Sequence, residues 1–68
     1  MKNRVSELRR QAQMTQEDLA RGLGVSRQTV NAIENGRYNP SLALALKMAR
    51  LLDQPVDKIF ALDERENA

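Results

Sequence analysis

Side chains that could recognise nucleic acid are concentrated in one short stretch, VSRQTVNAIENG, from Val25 to Gly36. As a helix, this stretch places Val30 and Ile33 on one side and a polar surface on the other. An arginine fork matches guanine O6 and N7, glutamine and asparagine amides match adenine N7 and N6, and a small alanine can approach a thymine methyl group. The predicted base-reading residues are Arg27, Gln28, Asn31 and Ala32. The alternative is an ordinary solvated face, although this one lacks the Glu/Lys pairs that such faces usually carry.

One carboxylate, Glu34, falls on the core side of the same helix, beside Ile33. A buried carboxylate is costly unless it is paired. Arg9 lies next to Leu8 in the apolar pattern of the first predicted helix. We therefore predict an Arg9–Glu34 ion pair that joins the first and third helices. The alternative is that Glu34 only borders the core and stays hydrated.

Two predicted helix starts in the same region could bind phosphate. Thr15-Gln16 and Ser26-Arg27 each begin a helix, where free backbone N–H groups and the helix dipole attract anions. Further contacts could come from Arg10, Arg37, Tyr38 and Asn39. Phosphate contacts supply affinity and position, but they carry no sequence information directly.

Two short helices separated by a tight turn must position these side chains. A helix-turn-helix unit is predicted over residues 16–35, with Ala20 where the helices cross and Gly24 in the turn. The boundaries are marked by Thr15 and Ser26 as N-caps, by Gly24 as a stop, and by Asn35-Gly36 at the exit. All the steric requirements of the unit are met together, which makes the combination specific.

The remaining helices are predicted on either side of this unit, so the fold class is all-α. Apolar spacing predicts a first helix near residues 3–13. Pro40 and Ser41 precede a longer helix, LALALKMARLL, that we expect to be buried on two sides. One side comprises Leu42, Ala45, Leu46, Ala49 and Leu52, and the other comprises Leu44, Met48 and Leu51. Pro55 pre-sets a last short helix, and residues 61–63 of the charged tail could be extended.

Composition limits the other function classes. The chain has 68 residues, no Cys and no His. Disulfides and thiolate metal sites are thus excluded, and the commonest general base and metal ligand is missing. We expect no enzymatic activity, no cofactor, no metal site and no small-molecule ligand. Without a signal peptide or an apolar run long enough to cross a membrane, a single soluble domain over residues 1–68, located in the cytoplasm, is expected.

Charge is distributed unevenly along the chain. Residues 1–50 carry nine Lys/Arg and four Asp/Glu, a net charge of +5, whereas residues 51–68 carry two and five, a net charge of −3. This asymmetry favours a polyanion on one side of the molecule, although ordinary surface solvation would also produce it.

The stretch MTQEDLARGLGVSRQTVNAIENGRYNPSLALALKMARLLDQPVDKIF resembles the phage-repressor-like helix-turn-helix regulators, the Cro/repressor or XRE family. The combination of TQEDLA, a Gly turn, SRQTV, IENG and NPSL carries the resemblance, which covers residues 3–60. It implies a compact five-helix lambda-repressor-like DNA-binding domain whose third helix enters the major groove of double-stranded DNA.

The same resemblance implies roles for individual residues. By motif position, Gln16 and Asn35 match phosphate contacts, whereas the base-reading and ion-pair positions match those named above. The predicted phosphate-contacting residues are in total Thr15, Gln16, Ser26, Thr29, Asn35, Arg37, Tyr38 and Asn39. Two residues depart from the family pattern. Asp53 stands where glycine is frequent, and Ala32 stands where a longer base-reading side chain is common.

A homodimer on a palindromic operator is predicted because one recognition helix reads only a few base pairs. Paired modules contact half-sites about 34 Å apart. The acidic C-terminal segment, about residues 51–63, is the predicted dimerisation segment. The predicted interface residues are Leu44, Met48, Leu51, Ile59, Phe60 and Leu62. The alternative for Phe60 is that it only caps the monomer core.

The resulting functional prediction is a sequence-specific transcriptional regulator that binds double-stranded DNA, and specifically a repressor. The main alternative is an antitoxin or anti-repressor module whose principal partner is another protein, although only about eight residues follow Phe60 to hold one. A helical domain with a decayed DNA-binding face is the third alternative, and the intact polar side of the 26–35 helix argues against it.

Overall fold

The computed structural model describes residues 1–63, and residues 64–68 of the predicted charged tail lie outside this range. Within it the chain forms five helices and a short two-stranded sheet, so the predicted five-helix architecture is confirmed. The elements are β1 (Lys2–Asn3), α1 (Val5–Gln11), α2 (Gln16–Leu23), α3 (Arg27–Glu34), α4 (Leu42–Leu52), α5 (Val56–Ile59) and β2 (Phe60–Ala61). None of the helices in residues 1–63 has the length and apolar character needed to cross a membrane.

Side-chain caps begin the three central helices at the residues predicted from the sequence. Thr15 Oγ1 accepts a hydrogen bond from the Asp18 N–H, and the Asp18 carboxylate accepts one from the Thr15 N–H, each at 2.9 Å. This reciprocal pair is a capping box. Ser26 and Ser41 each accept from the N–H three residues later, at 3.1 Å. Gly24 ends α2 with φ at 74°, a conformation that glycine adopts at little cost.

The first helix is shorter than the predicted 3–13, since it spans only Val5–Gln11. A strand pairing occupies its N-terminal side, where Asn3 lies opposite Phe60 in an antiparallel ladder. The Asn3 side chain also donates to the Ile33 carbonyl at 2.9 Å. These bonds join residues far apart along the chain, so no local pattern indicates them.

One apolar core lies where the helices meet. Its residues are Val5, Leu8, Leu19, Ala20, Leu23, Val30, Ile33, Ala45, Met48, Leu52, Ile59 and Phe60. Every helix contributes at least one of them, so the segments before and after the α2–α3 pair hold that pair in place.

Three residues predicted for a dimer interface belong to this core instead. Met48 and Ile59 expose 0% and 1% of their surface, and Phe60 exposes 8%. The prediction was wrong for them because α4 and α5 are apolar on more than one side. Periodicity does not tell which side the monomer itself covers. For Phe60, the structure supports the alternative, which is capping of the monomer core.

The most exposed leucines of α4 are Leu42 and Leu46, at 73% and 51%, followed by Leu51 at 39%. The sequence prediction placed Leu42 and Leu46 on a buried side, and this was wrong. The opposite side of α4 packs against α2, where Leu51 lies directly over Gly22. A Cβ added at Gly22 would be only 2.9 Å from Leu51 Cδ1. The side of α4 predicted to meet a partner therefore packs partly within the monomer, with Met48 buried, Leu44 half-buried and Leu51 exposed.

Acid stability is expected to depend on the capping box. Hydrogen bonds from Thr15, first the backbone N–H and then the side chain, hold the pKa of Asp18 below its ordinary value. Because the folded-state pKa is depressed, this carboxylate stabilises the fold above its unfolded pKa. The contribution is lost as the pH falls through the folded-state value. We expect Asp18→Asn to unfold at lower urea than the parent at neutral pH, with the difference shrinking below about pH 4.

Urea titrations followed by circular dichroism across this pH range measure the effect. Glu17→Gln is the matched control, because it removes the same charge from the same helical turn without touching the cap. A parent-like pH profile for Asp18→Asn would show that the capping carboxylate contributes nothing to stability.

Candidate nucleic-acid interface

Helices α2 and α3 form a helix-turn-helix whose contact is buried at Ala20, which is 3% exposed. The Val25 N–H donates to the Ala20 carbonyl at 3.0 Å and closes the turn. Val30 and Ile33 are buried on the inner side of α3. This helix is therefore fixed through one side only, and its other side is free to meet a ligand.

The outer side of α3, hereafter the polar face, comprises Arg27, Gln28, Asn31 and Ala32. The first three are exposed and the alanine is half-buried. Together with Gln16 of α2, the three long side chains line an open depression of about 300 Å³. Asn35 Nδ2 donates to Asn31 Oδ1 at 3.0 Å and braces the far end of the face. The face therefore presents a cationic fork and amide groups, and none of its side chains is acidic.

A second depression, of about 560 Å³, lies beside the first, where α1 meets the start of α2. Its lining residues are Arg9, Arg10, Met14, Thr15, Gln16, Glu17 and Arg27. Because Gln16 and Arg27 line both depressions, the two form a continuous polar surface that spans the starts of α2 and α3.

The buried end of α3 is held by a hydrogen-bond network that joins three helices. The Glu34 side chain is only 6% exposed. Arg9 Nε donates to Glu34 Oε2 at 2.7 Å, and Arg9 Nη2 donates to Oε1 at 3.3 Å, so the predicted ion pair is present. Gln16 Nε2 donates to the same Oε1 at 3.0 Å. Arg9 Nη1 donates to the Met14 carbonyl at 2.9 Å. The Arg9–Glu34–Gln16 network thus ties α3 to α1 and to the start of α2.

The residues predicted to contact phosphate surround the polar face. Exposed among them are Thr15, Ser26, Asn35, Arg37, Tyr38 and Asn39, whereas Gln16 and Thr29 are half-buried. The Thr15 and Ser26 hydroxyls already cap their own helices. The first-turn backbone N–H groups are therefore the better anion donors at these helix starts.

Two bonds of the network have no counterpart in the sequence prediction. The sequence assigns Gln16 to phosphate alone, whereas its amide also bonds Glu34. The sequence did contain an indication of the Gln16 bond, because Glu34 is a core-side carboxylate that needs partners and Gln16 offers an amide donor at the start of α2. The bond from Arg9 to the Met14 carbonyl has no such signal, because every residue type offers the same backbone acceptor.

The fold and this polar surface define a helix-turn-helix DNA-binding domain. A family model described as helix-turn-helix matches residues 5–59. The chain therefore belongs to the XRE-type helix-turn-helix family of transcriptional regulators, and the resemblance in its motifs is confirmed.

Similar proteins agree with this assignment. The uncharacterized HTH-type transcriptional regulator MJ0272 of Methanocaldococcus jannaschii is 48% identical over 97% of this chain and 100% of its own. The restriction-modification controller protein C.AhdI from Aeromonas hydrophila is 38% identical, with a TM-score of 0.77 over 84% of this chain and 86% of that chain. The cryptic phage CTXphi transcriptional repressor RstR of Vibrio cholerae is 29% identical over 91% of this chain and 56% of its own. The lambda-repressor-like fold and the general function of a transcriptional regulator are thereby confirmed.

Proposed function

We propose that this chain is a sequence-specific transcriptional repressor that binds a palindromic double-stranded DNA operator as a homodimer. In this proposal α3 lies in the major groove, which at about 12 Å wide admits an α-helix. The observation that carries the proposal is the exposed polar face, whose helix is fixed to the scaffold by its apolar side and by Glu34. Binding, rather than catalysis, is the proposed activity, and such a regulator would act in the cytoplasm.

Direct readout of bases is the proposed role of the polar face. The Arg27 fork can donate to guanine O6 and N7, and the Gln28 amide can pair with adenine N6 and N7. The Asn31 oxygen accepts one bond from Asn35, yet it retains a second lone pair and both N–H donors for a base. Ala32 is short enough to bring the helix close to a thymine methyl group.

Phosphate contacts at the edges of the polar face would fix the helix in the groove. The first turns of α2 and α3 offer backbone N–H groups, and Arg37 and Asn39 are exposed in the loop that follows α3. The backbone turns at Gly36, where φ is 73°, and this loop begins directly after the end of α3. These contacts would supply the salt-dependent part of the affinity.

Dimerisation is proposed through apolar residues that remain exposed. Of the predicted interface, Leu62 and Leu51 are 58% and 39% exposed, and Leu44 is half-buried. Leu42 and Leu46 add exposed apolar surface on α4 that the sequence prediction had assigned to the interior. Burial of such side chains against a second copy is the ordinary driving force for association. The segment 51–63 keeps Leu51 and Leu62 as its candidate contacts.

Repression is the proposed outcome because it requires only that a bound dimer occupy DNA needed by the transcription machinery. The relative RstR is named a repressor. No inducer or second ligand is needed for this mechanism.

The salt dependence of DNA binding tests the proposed function. Fluorescence anisotropy of a labelled duplex, titrated with the full chain, should give an affinity that falls at least about tenfold between about 50 and about 200 mM salt. The logarithm of the affinity should fall linearly with the logarithm of the salt concentration. Absent or salt-independent binding would favour the alternative, a module that binds mainly a protein.

Arg27→Ala is expected to relax base preference at one position of each half-site. Loss of a bidentate contact to guanine should cost about 1–3 kcal/mol on the preferred sequence and much less on the others. Comparison of the sequences selected from a random DNA pool by parent and variant measures this. Arg21→Ala is the control, because Arg21 is an exposed arginine that lies outside the polar face. An unchanged profile for Arg27→Ala would exclude Arg27 from base reading.

A further inference from the structure

We propose that Glu34 is a positioning residue for DNA binding, because its carboxylate holds the Gln16 side-chain amide in place before a phosphate arrives. This inference rests on the proposed DNA-binding function and extends it. According to this inference, the buried Arg9–Glu34 pair not only joins helices but also contributes to recognition of the DNA backbone.

The Gln16 amide is placed to connect the buried Glu34 carboxylate with the polar surface. It is half-buried, and Nε2 donates one hydrogen to Glu34 Oε1 at 3.0 Å. The second Nε2 hydrogen and the amide oxygen are still available for a ligand. Gln16 also lines both depressions of the polar surface. A free glutamine would lose rotamer freedom when it binds phosphate, whereas one that is already held loses less.

The charge of Glu34 would oppose this role if it were uncompensated, since a phosphate near a bare carboxylate is repelled. Arg9 removes that obstacle by bonding both carboxylate oxygens, at 2.7 and 3.3 Å. The pair is nearly dry, with side-chain exposures of 9% and 6%, so solvent screens it little. Glu34 can therefore act as an acceptor for Gln16 within a neutral unit.

Arg9 also fixes the backbone that leads into the same contact. Its Nη1 donates to the carbonyl of Met14 at 2.9 Å, immediately before the Thr15 cap. The network therefore holds the start of α2 by the main chain and by the Gln16 side chain at once. If the ion pair were only structural, the two Arg9–Glu34 hydrogen bonds would be sufficient. The additional bond from Gln16 to Glu34 connects the pair with the polar surface proposed to meet DNA.

A double-mutant cycle in DNA affinity separates positioning from a structural role. Gln16→Ala should weaken binding about fivefold in the parent, and by less than about twofold in an Arg9→Met/Glu34→Leu background, because leucine offers no acceptor and the unheld Gln16 side chain then contributes little. Gln28→Ala is the matched control, since Gln28 lies on the same polar surface and has no bond to Glu34. Its effect should be the same in both backgrounds. Circular dichroism must show that each variant is folded at the temperature of the assay.

A measurement on the unmodified chain keeps the test valid if Arg9→Met/Glu34→Leu does not fold. Nitrogen-15 relaxation of the side-chain amides, without DNA, should show Gln16 clearly more ordered than exposed Gln28. Equal mobility of the two amides would overturn the inference, as would an equal loss of affinity from Gln16→Ala in both backgrounds. Failure of the parent to bind DNA would instead overturn the proposed function, while the relaxation data would still report whether Gln16 is held.

Discussion

Glu34→Ala is expected to lower the free energy of unfolding by about 3–5 kcal/mol, because it leaves the Arg9 guanidinium buried without its counter-charge. The Arg9 side chain is only 9% exposed. Its hydrogen bond to the Met14 carbonyl cannot replace a carboxylate, because a carbonyl carries no counter-charge. Small domains have total stabilities of only about 5–15 kcal/mol, so this loss would leave the domain close to unfolded. Equilibrium urea unfolding, followed by circular dichroism, measures the change.

The double variant Arg9→Met/Glu34→Leu is the matched control for this prediction. It removes both charges and replaces them with apolar side chains of comparable size, which is often neutral for buried ion pairs. We therefore expect it to recover most of the stability lost in Glu34→Ala. If Glu34→Ala loses less than about 1 kcal/mol, the Arg9 side chain reaches water on its own and the pair does not secure α3.

Phe60→Asp is expected to abolish folding, because it places a carboxylate within the apolar core. Phe60 is 8% exposed, and its neighbour Ile59 is 1% exposed. Transfer of an unpaired charge into such surroundings costs several kcal/mol, and the aromatic packing is lost as well. Loss of the helical circular dichroism signal at 25 °C is the expected observation.

Leu62→Asp provides the contrast to Phe60→Asp. Leu62 is 58% exposed, so the variant should keep the parent's helical signal. Under the proposed dimer it should sediment closer to a monomer and bind a palindromic site more weakly. A folded, monomeric Phe60→Asp protein would show that the core assignment of Phe60 is wrong. A Leu62→Asp protein that stays dimeric, together with a Leu46→Asp protein that dissociates, would move the interface to the exposed side of α4.

Local sequence chemistry predicted the helix-turn-helix well. Thr15 and Ser26 are cap formers, Gly24 tolerates the left-handed turn, and each acts only on residues a few positions away. Asp53 is also in the left-handed conformation, with φ at 53°, where the family often has glycine. The caps and the Gly24 turn are readable from one sequence because their causes are local, whereas only the family resemblance pointed to the conformation of Asp53.

Long-range features were less predictable. The strand pairing of Asn3 with Phe60 joins the two ends of the described chain, and neither end carries a strong strand pattern. The same limit explains the error in α4, whose leucines lie on nearly every side of the helix. The packing of α2 and α5 against α4 depends on tertiary structure, and with it the burial of Met48 and the exposure of Leu42 and Leu46. Interface residues chosen from apolar periodicity alone were therefore partly core residues.

The ion pair is an intermediate case. Glu34 was identified because a carboxylate on the core side of a helix requires a partner, and Arg9 was the cation in the right part of the first helix. The chemistry predicted the pair, whereas the Gln16 bond that completes it depends on how α2 sits against α3. That third bond connects the stability of the fold with the surface proposed to meet DNA.

Selection of bound duplexes from a random DNA pool by the full chain tests the central claim most directly. A homodimer that reads DNA through the polar face should enrich one palindromic sequence, with half-sites about one helical turn, or 34 Å, apart. The base preference at one position of each half-site should disappear in Arg27→Ala and persist in Arg21→Ala. A pool that shows no enrichment after repeated selection, although the protein is folded, would contradict sequence-specific DNA binding by this chain.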